Sequence, residues 1–312
     1  MHGAMVAVGA GAMIGWGALP LLTRVAIRGM EDPRSRQRVL TLSLLLANAL
    51  WLAPWMRIAW PTMPATVVPL GAVLLPAPAL LDVHAICCLT EAIGGVWLAL
   101  VSWTGARTLA QLARLRRYAL TGQPAPDEMI ERVRFIATEM RIEPPGVVVV
   151  NCSEIPFLTG VWKPVLALPC SLFNRLDSAA LDLVIRHELA HLIRKDVLWN
   201  VIVAAACVPF GQHRTARRTS REIALAREEA VDSAVGSSNP CAYARMLVDV
   251  ATGVSCRACT LVVGVEPTSL ERRIGRLLEP RVEGRAAAWR VVALASILFA
   301  AAVVAPRLGL RP

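Results

Sequence analysis

His187-Glu188-Leu189-Ala190-His191 restricts local geometry more tightly than any other stretch of this 312-residue chain. Residues four apart lie on one face of an α-helix, about one turn from each other. Both imidazoles reach a single Zn²⁺ only if the segment is helical. Glu188, beside the first of them, then sits where it can take a proton from an attacking water. The chain has only five His, and two of them stand in this pattern. The pattern points to hydrolysis of peptide bonds with one zinc ion as cofactor. A solvated helix face is the ordinary alternative for such a string. Here Leu183, Val184, Leu189 and Ile193 make the segment strongly apolar, and Glu188 buried in it without a metal would be costly.

A catalytic zinc takes three protein ligands and leaves one position open. The third ligand is expected from another helix, because residues on the same turn would crowd the metal. Glu228-Glu229-Ala230-Val231-Asp232 is the obvious supplier. Glu228 shares a helix face with Leu225, Val231 and Val235, which predicts that it points inward. Glu229 shares its face with Glu222 and Ser233, which predicts that it points toward water. Glu228 is therefore the expected ligand. Asp232, one turn further on, is placed to accept the outer N–H of a liganding His and fix its tautomer. His213 and Tyr243 are candidates for stabilising the oxyanion, against a surface His and a core Tyr as the ordinary readings. Pro164 to Pro169 reads either as a core strand or as an edge strand. In the second case Val165, Leu166, Ala167 and Leu168 would pair with an extended substrate peptide.

The chain is 55% apolar, which is high for an ordinary soluble domain. Crossing a bilayer takes roughly 20 apolar residues, and four stretches qualify: Ala4 to Thr23, Val39 to Met56, Val83 to Ala106 and Ala286 to Ala305. The first lacks a basic leader and a cleavage motif, so it does not read as a signal peptide. Arg24, Arg28, Arg34, Arg36 and Arg38 crowd the first loop, and Arg107, Arg114, Arg116 and Arg117 follow the third stretch. By the positive-inside rule these lie in the cytoplasm. The expected architecture is a mainly α, multi-pass protein of the cell membrane with its N-terminus outside. Residues 1–106 hold three transmembrane helices with a Pro-rich outer loop at 57–82. Residues 107–285 form a cytoplasmic α+β metallopeptidase domain, and 286–312 form a fourth transmembrane helix with a short external tail. The lipid bilayer is then a partner, and the net charge of +10 is largely juxtamembrane Arg. No basic face interleaved with aromatics appears, so direct nucleic-acid binding is not expected. Gly11-x-x-x-Gly15 allows close helix packing, and a homodimer is compatible with it. The eight Cys give no disulfide framework, and Cys256-Arg257-Ala258-Cys259 lacks the second pair of a zinc ribbon.

Within the insert, Met129, Ile130, Val133, Ile136 and Ala137 form one apolar stripe that predicts a helix over Asp127 to Arg141. Val147 to Val150 and Val165 to Leu168 predict short strands. Asp177 or Ser178 caps the helix that carries the His pair. Val197 to Phe210 is short for a full span and reads as a buried core helix or an interfacial one. Helices are also predicted over Thr219 to Val235, Tyr243 to Gly253 and Thr268 to Leu278.

His187 to Asp196, His-Glu-Leu-Ala-His-Leu-Ile-Arg-Lys-Asp, resembles the zinc motif of the BlaR/MecR-type membrane metallopeptidases, the transducers of β-lactam sensing. Thr159 to Pro169 resembles the family's stretch before that helix. Arg227 to Asp232 resembles its third-ligand motif, though a Cys is common where Val231 stands. Ala242-Tyr243-Ala244 and Leu270-Glu271-Arg272-Arg273-Ile274 are also similar, whereas Gly211-Gln212-His213 departs from the usual aromatic pair. The resemblance implies a gluzincin-type zinc endopeptidase facing the cytoplasm, with Glu228 as ligand and Asp196 and Asp232 as supporting acids. It implies cleavage of a cytosolic transcriptional repressor, or of the chain itself, after an outside signal. Antibiotic-sensing members carry a penicillin-binding domain after the fourth span. Here the chain stops shortly after that span, and neither Lys163 nor Lys195 lies three residues after a Ser, so no Ser-x-x-Lys acylation site exists. Sensing of β-lactams by this chain alone is not expected. Two alternatives stand beside the signalling protease. One is a quality-control or processing protease like HtpX or the CAAX prenyl proteases. The other is a non-catalytic transducer, against which the intact Glu188 argues.

Overall fold

The computed structural model describes residues 30, 32–59, 83–151, 155–210, 214–252 and 267–279. It divides into two compact units. One comprises residues 1–105, 206–223 and 283–312, the other 106–205 and 224–282.

In the first unit, helix α1 (Pro33–Ala59) starts at Asp32, whose carboxylate accepts from the Arg34 and Ser35 N–H groups at 3.1 and 3.0 Å. That satisfies two of the orphan donors of a helix start. α1 buries Val39, Leu40, Leu44 and Ala47, but also Arg36, Gln37 and Thr41. The Asn48 amide donates to the Ala206 carbonyl at 3.1 Å. Helix α2 (Val83–Leu120) begins in this unit and ends in the second.

The expectation of four transmembrane helices fails here. Among the described residues, no helix is long and apolar enough to cross a membrane. Val39 to Met56 lies inside α1, which opens on Arg34, Arg36 and Arg38. Val83 to Ala106 lies inside α2, whose apolar run is broken by His84 and Glu91 and then continues into Arg107, Arg114, Arg116 and Arg117. The multi-pass membrane location built on those spans is withdrawn with them. The runs Ala4 to Thr23 and Ala286 to Ala305 lie outside the described residues, as do the loop 60–82, His213 and Cys256-Arg257-Ala258-Cys259.

The second unit is a helical domain with a small sheet. Its strands are β1 (Gln123–Pro124), β2 (Gly146–Val150), β3 (Phe157–Thr159) and β4 (Val165–Pro169), in the order β1-β2-β4-β3. β4 runs parallel to β2, pairing Val165 with Gly146 and Pro169 with Val150, and antiparallel to β3, pairing Val165 with Thr159. β4 is therefore a central strand, hydrogen-bonded on both sides. The edge-strand reading of Val165, Leu166, Ala167 and Leu168 as a substrate-binding strand is corrected: their backbone groups are already used by β2 and β3. Burial agrees. Leu166 and Leu168 pack on one face of the sheet with Val133, Ile136 and Ala137 of α3 (Asp127–Glu139) and with Leu181, Ile185 and Leu189 of α5 (Ser178–Ile193). Ala167 packs on the other face with Ala119, Val150 and Phe157. This is the period-two alternation of a strand buried on both faces.

The short helix α4 (Cys170–Arg175) leads into α5, which Asp177 caps by accepting from the Ala180 N–H at 2.7 Å. Helix α6 (Asp196–Cys207) and a single 3₁₀ turn at Val208–Phe210 cover the apolar run read as a core or interfacial helix. Three helices follow: α7 (Arg214–Val235), of which the residues from Ala224 on belong to this unit, α8 (Pro240–Thr252) and α9 (Pro267–Leu278). A second core joins Leu172 and Val184 to Tyr243, Met246 and Leu247 of α8, with Leu270, Ile274 and Leu277 of α9 packed against it.

Candidate metal centre

Helix α5 places His187 and His191 one turn apart, with their Nε2 atoms 3.3 Å from each other and their rings nearly perpendicular, at 87°. From α7, Glu228 brings Oε2 to 3.5 Å from His187 Nε2 and Oε1 to 3.6 Å from His191 Nε2. Among the described residues this is the group able to hold a metal ion, with one ligand atom from each side chain within 4.8 Å of the others. At Zn–N and Zn–O distances of about 2.0–2.2 Å, tetrahedral donors stand about 3.3–3.5 Å apart. The observed separations have that size.

The outer nitrogens show what the inner ones can offer. His191 Nδ1 lies 2.8 Å from Asp196 Oδ2, and His187 Nδ1 lies 2.6 Å from the Tyr243 hydroxyl. A carboxylate only accepts, so the Nδ1 of His191 carries a hydrogen, and Nε2 is the nitrogen whose lone pair the neutral ring offers to a metal. The lone pairs of the neutral rings and the Glu228 carboxylate converge on one point, an arrangement that suits a metal cation. The residues present therefore fit a zinc ion.

The backbone explains how Asp196 gets there. Lys195 adopts φ +55, the left-handed region, directly after α5. Its N–H donates to the Leu192 carbonyl at 3.0 Å, closing the helix end, and α6 begins at the next residue. The reversal returns Asp196 to the imidazole five positions earlier. Asp196 is buried and also meets Arg194 Nε at 3.2 Å and Arg227 Nε at 3.7 Å. Arg227, on α7 beside Glu228, donates to the Asn200 side chain of α6.

Asp232 supports the other imidazole by a different route from the one expected. Its Oδ1 lies 3.7 Å from His187 Nδ1, beyond hydrogen-bond reach. The Tyr243 hydroxyl stands between them and donates to Asp232 Oδ1 at 3.0 Å. Tyr243 is thus fully buried behind the metal site, on the Nδ1 side of His187. That position removes it as an oxyanion stabiliser.

Glu229 also differs from expectation. Its residue is 3% exposed, and its carboxylate meets Arg272 Nε at 2.9 Å and Arg276 Nη1 at 3.1 Å, both from α9. The solvent-facing reading fails because α9 covers that side of α7. Arg273 of the same helix grips Asp232 and reaches Glu228 Oε2 at 3.4 Å. Sequence reasoning assigned Arg273 no role. Its signals were the Arg-Arg pair in a segment with helical spacing and the likeness of Leu270 to Ile274 to the family.

Protonation follows these contacts. Burial pushes the Glu188 carboxyl above its usual range, more strongly than His187 and His191 pull it down. Burial would also raise Glu228, but His191, Arg273 and His187 overcome it and hold that carboxyl well below the usual range. Burial disfavours a charge on His191, yet Glu228 and Asp196 outweigh it and raise its pKa. Burial and the charge of Asp232 push the Tyr243 phenol up, so it stays protonated.

Paired imidazoles on one helix facing a carboxylate from a second, with a buried glutamate beside the first imidazole, form the arrangement of a metallopeptidase. The BlaR1 peptidase M56 family matches residues 88–277, well over half of the chain, and the chain belongs to that family. This bears out the likeness carried by His187 to Asp196 and by Arg227 to Asp232. No curated protein matches the chain.

Proposed function

We propose that this chain is a zinc-dependent endopeptidase in which His187, His191 and Glu228 hold the metal and Glu188 is the general base. The convergence of three lone-pair donors, 3.3 to 3.6 Å apart, carries the reading. A zinc ion held there lowers the pKa of water and polarises the scissile carbonyl. Glu188 lies one residue after His187 and three before His191 on α5, so its carboxylate borders the same point. It takes the proton of the attacking water and delivers it to the leaving amine. Its raised pKa suits that exchange, because a base poised nearer neutrality both accepts and returns a proton readily. Asp196 and Asp232 hold the imidazoles in orientation.

Among the described residues, β3 (Phe157–Thr159) ends the sheet with no strand on its outer side, and it packs against α5. We assign the substrate backbone to that edge, where an extended peptide adds a strand through main-chain hydrogen bonds. The family likeness supports a regulatory substrate, either a transcriptional repressor or the chain itself.

Metal analysis and a cleavage assay on purified variants test the assignment. Glu188→Ala should keep one zinc and lose cleavage, while Glu228→Ala should lose zinc. Equal zinc and equal activity in both would refute it. Comparing the proteomes of cells expressing wild type and Glu188→Ala identifies the substrate, and an unchanged level of every repressor together with an uncleaved chain would remove the regulatory reading.

A further inference from the structure

The two imidazoles of the metal centre are held by unlike partners. His191 Nδ1 meets a carboxylate directly, whereas His187 Nδ1 meets a phenol, 2.6 Å away, and among the described residues no carboxylate oxygen nearer than 3.7 Å. The proton inventory fixes the direction of every bond behind His187. Arg273 has donors only, and it spends two on Asp232, Nε to Oδ2 at 2.7 Å and Nη2 to Oδ1 at 2.8 Å. Asp232 is therefore ionised and can only accept. The Tyr243 O–H must point at Asp232 Oδ1, because turning it to His187 would leave two oxygens facing each other, lone pair to lone pair, at 3.0 Å. The phenol oxygen then offers His187 only a lone pair, so Nδ1 carries a hydrogen, and Nε2 is the nitrogen whose lone pair the neutral ring offers to a metal.

We propose that Tyr243 is a positioning residue for the metal: the chain Arg273, Asp232, Tyr243, His187 fixes the tautomer of His187 and aims its Nε2 lone pair at the cation site. This rests on the zinc assignment above. Packing prevents the phenol from turning away. Tyr243 is fully buried with Leu172, Val184 and Met246. Gly236, at the end of α7, admits its ring: a Cβ there would lie 2.9 Å from Tyr243 Cδ1 and 2.7 Å from Leu277 Cδ1. Three helices distant in sequence from the zinc motif, α7, α8 and α9, thus orient its first ligand. Partners of this kind typically contribute 10–100-fold to metal affinity.

Tyr243→Phe removes the hydroxyl and keeps the ring. Zinc affinity, read by competition with a chromophoric chelator, should fall about 10- to 100-fold, with far-ultraviolet circular dichroism unchanged. In protein labelled with ¹⁵N at histidine and loaded with zinc, wild-type His187 should show a slowly exchanging Nδ1 proton close to the Tyr243 ring. In Tyr243→Phe that proton should exchange rapidly. Wild-type zinc affinity in Tyr243→Phe, or a wild-type His187 Nδ1 proton that exchanges as fast as one open to water, overturns the proposal. The wild-type spectrum decides even if the variant does not fold. His187→Ala separates the two readings: it should abolish tight zinc binding, and full retention would overturn the ligand assignment itself.

Discussion

Arg273 holds Asp232 through two parallel hydrogen bonds, 2.7 Å from Nε to Oδ2 and 2.8 Å from Nη2 to Oδ1, one turn beyond Glu228 on α7. The flanking Arg272 and Arg276 meet Glu229 on the same helix. Three guanidinium groups of α9 thus lie on three carboxylates of α7. The fork geometry favours Arg over Lys here. Burial alone would lower the Arg273 pKa, but Asp232 and Glu228 raise it, so the charge persists.

Arg273→Met tests that clamp. Asp232 is 2% exposed and would be left as an unpaired buried charge, which costs about 3–5 kcal/mol. Urea unfolding should show a loss of that size and a drop in zinc affinity. A loss below about 1 kcal/mol, the range of a solvent-exposed pair, would mean the clamp is ornamental.

The turn at Lys195 gives a second prediction. A non-glycine residue in the left-handed region is strained by about 1–2 kcal/mol, and Lys195 sits there at φ +55. Glycine relieves the strain but adds chain entropy to the unfolded state. Lys195→Gly should therefore raise stability by up to about 1 kcal/mol and keep zinc. Lys195→Val should lower it and weaken zinc binding, because a branched side chain tolerates positive φ worst and Asp196 depends on the turn to reach His191. Thermal unfolding of both variants decides, and stabilisation by Val would show that the turn is unstrained.

The local signals in the sequence were enough to place the His pair, the helix cap at Asp177 or Ser178, the apolar stripe of α3 and Glu228. Each depends on residues within a turn or two of one another, where periodicity and capping chemistry act. What the sequence hid was long-range. Glu229 looked solvated because its own helix face is polar, and only α9, roughly 40 positions on by the pairing with Arg272, covers it. The apolar letters of Val165 to Leu168 fit an edge strand and a central strand equally, since sheet order is not written in a four-residue run. Tyr243 reads as a core residue or a catalytic one until its partners are known. The apolar stretches in α1 and α2 matched the bilayer by length and composition, yet among the described residues no helix is long and apolar enough to cross a membrane.

Glu188 sets the expected pH dependence. Its folded pKa is raised, chiefly by burial, and only the ionised carboxylate accepts a proton. Activity should be full above that raised pKa and fall about tenfold per unit below it. The acidic limb of kcat/KM should therefore lie above the value of about 4.3 for an ordinary glutamate. A pH–rate profile with the protein saturated in zinc measures it. A limb at or below the ordinary value would show that Glu188 is solvated, or that another group is the base.

Glu228 and Glu229 are neighbours in sequence with opposite duties, which gives the sharpest test of the metal assignment. Glu228 faces both imidazoles, whereas Glu229 points away to Arg272 and Arg276. Amide replacement keeps the shape of each side chain and removes its charge. Glu228→Gln takes away one of three ligands and the only anionic one, so zinc should be lost together with the stability that bound metal adds, about 2.7 kcal/mol at a free concentration of 100 Kd. Glu229→Gln should keep zinc and activity. Its cost falls on folding alone, and it is moderated because Arg272 and Arg276, with side chains 36% and 33% exposed, can turn to water. Metal content and thermal unfolding with and without chelator distinguish the two, since only a chain that binds zinc is destabilised by chelation. If Glu229→Gln lost the metal and Glu228→Gln kept it, the ligand would be the other carboxylate and α7 would have to be rotated by about 100°.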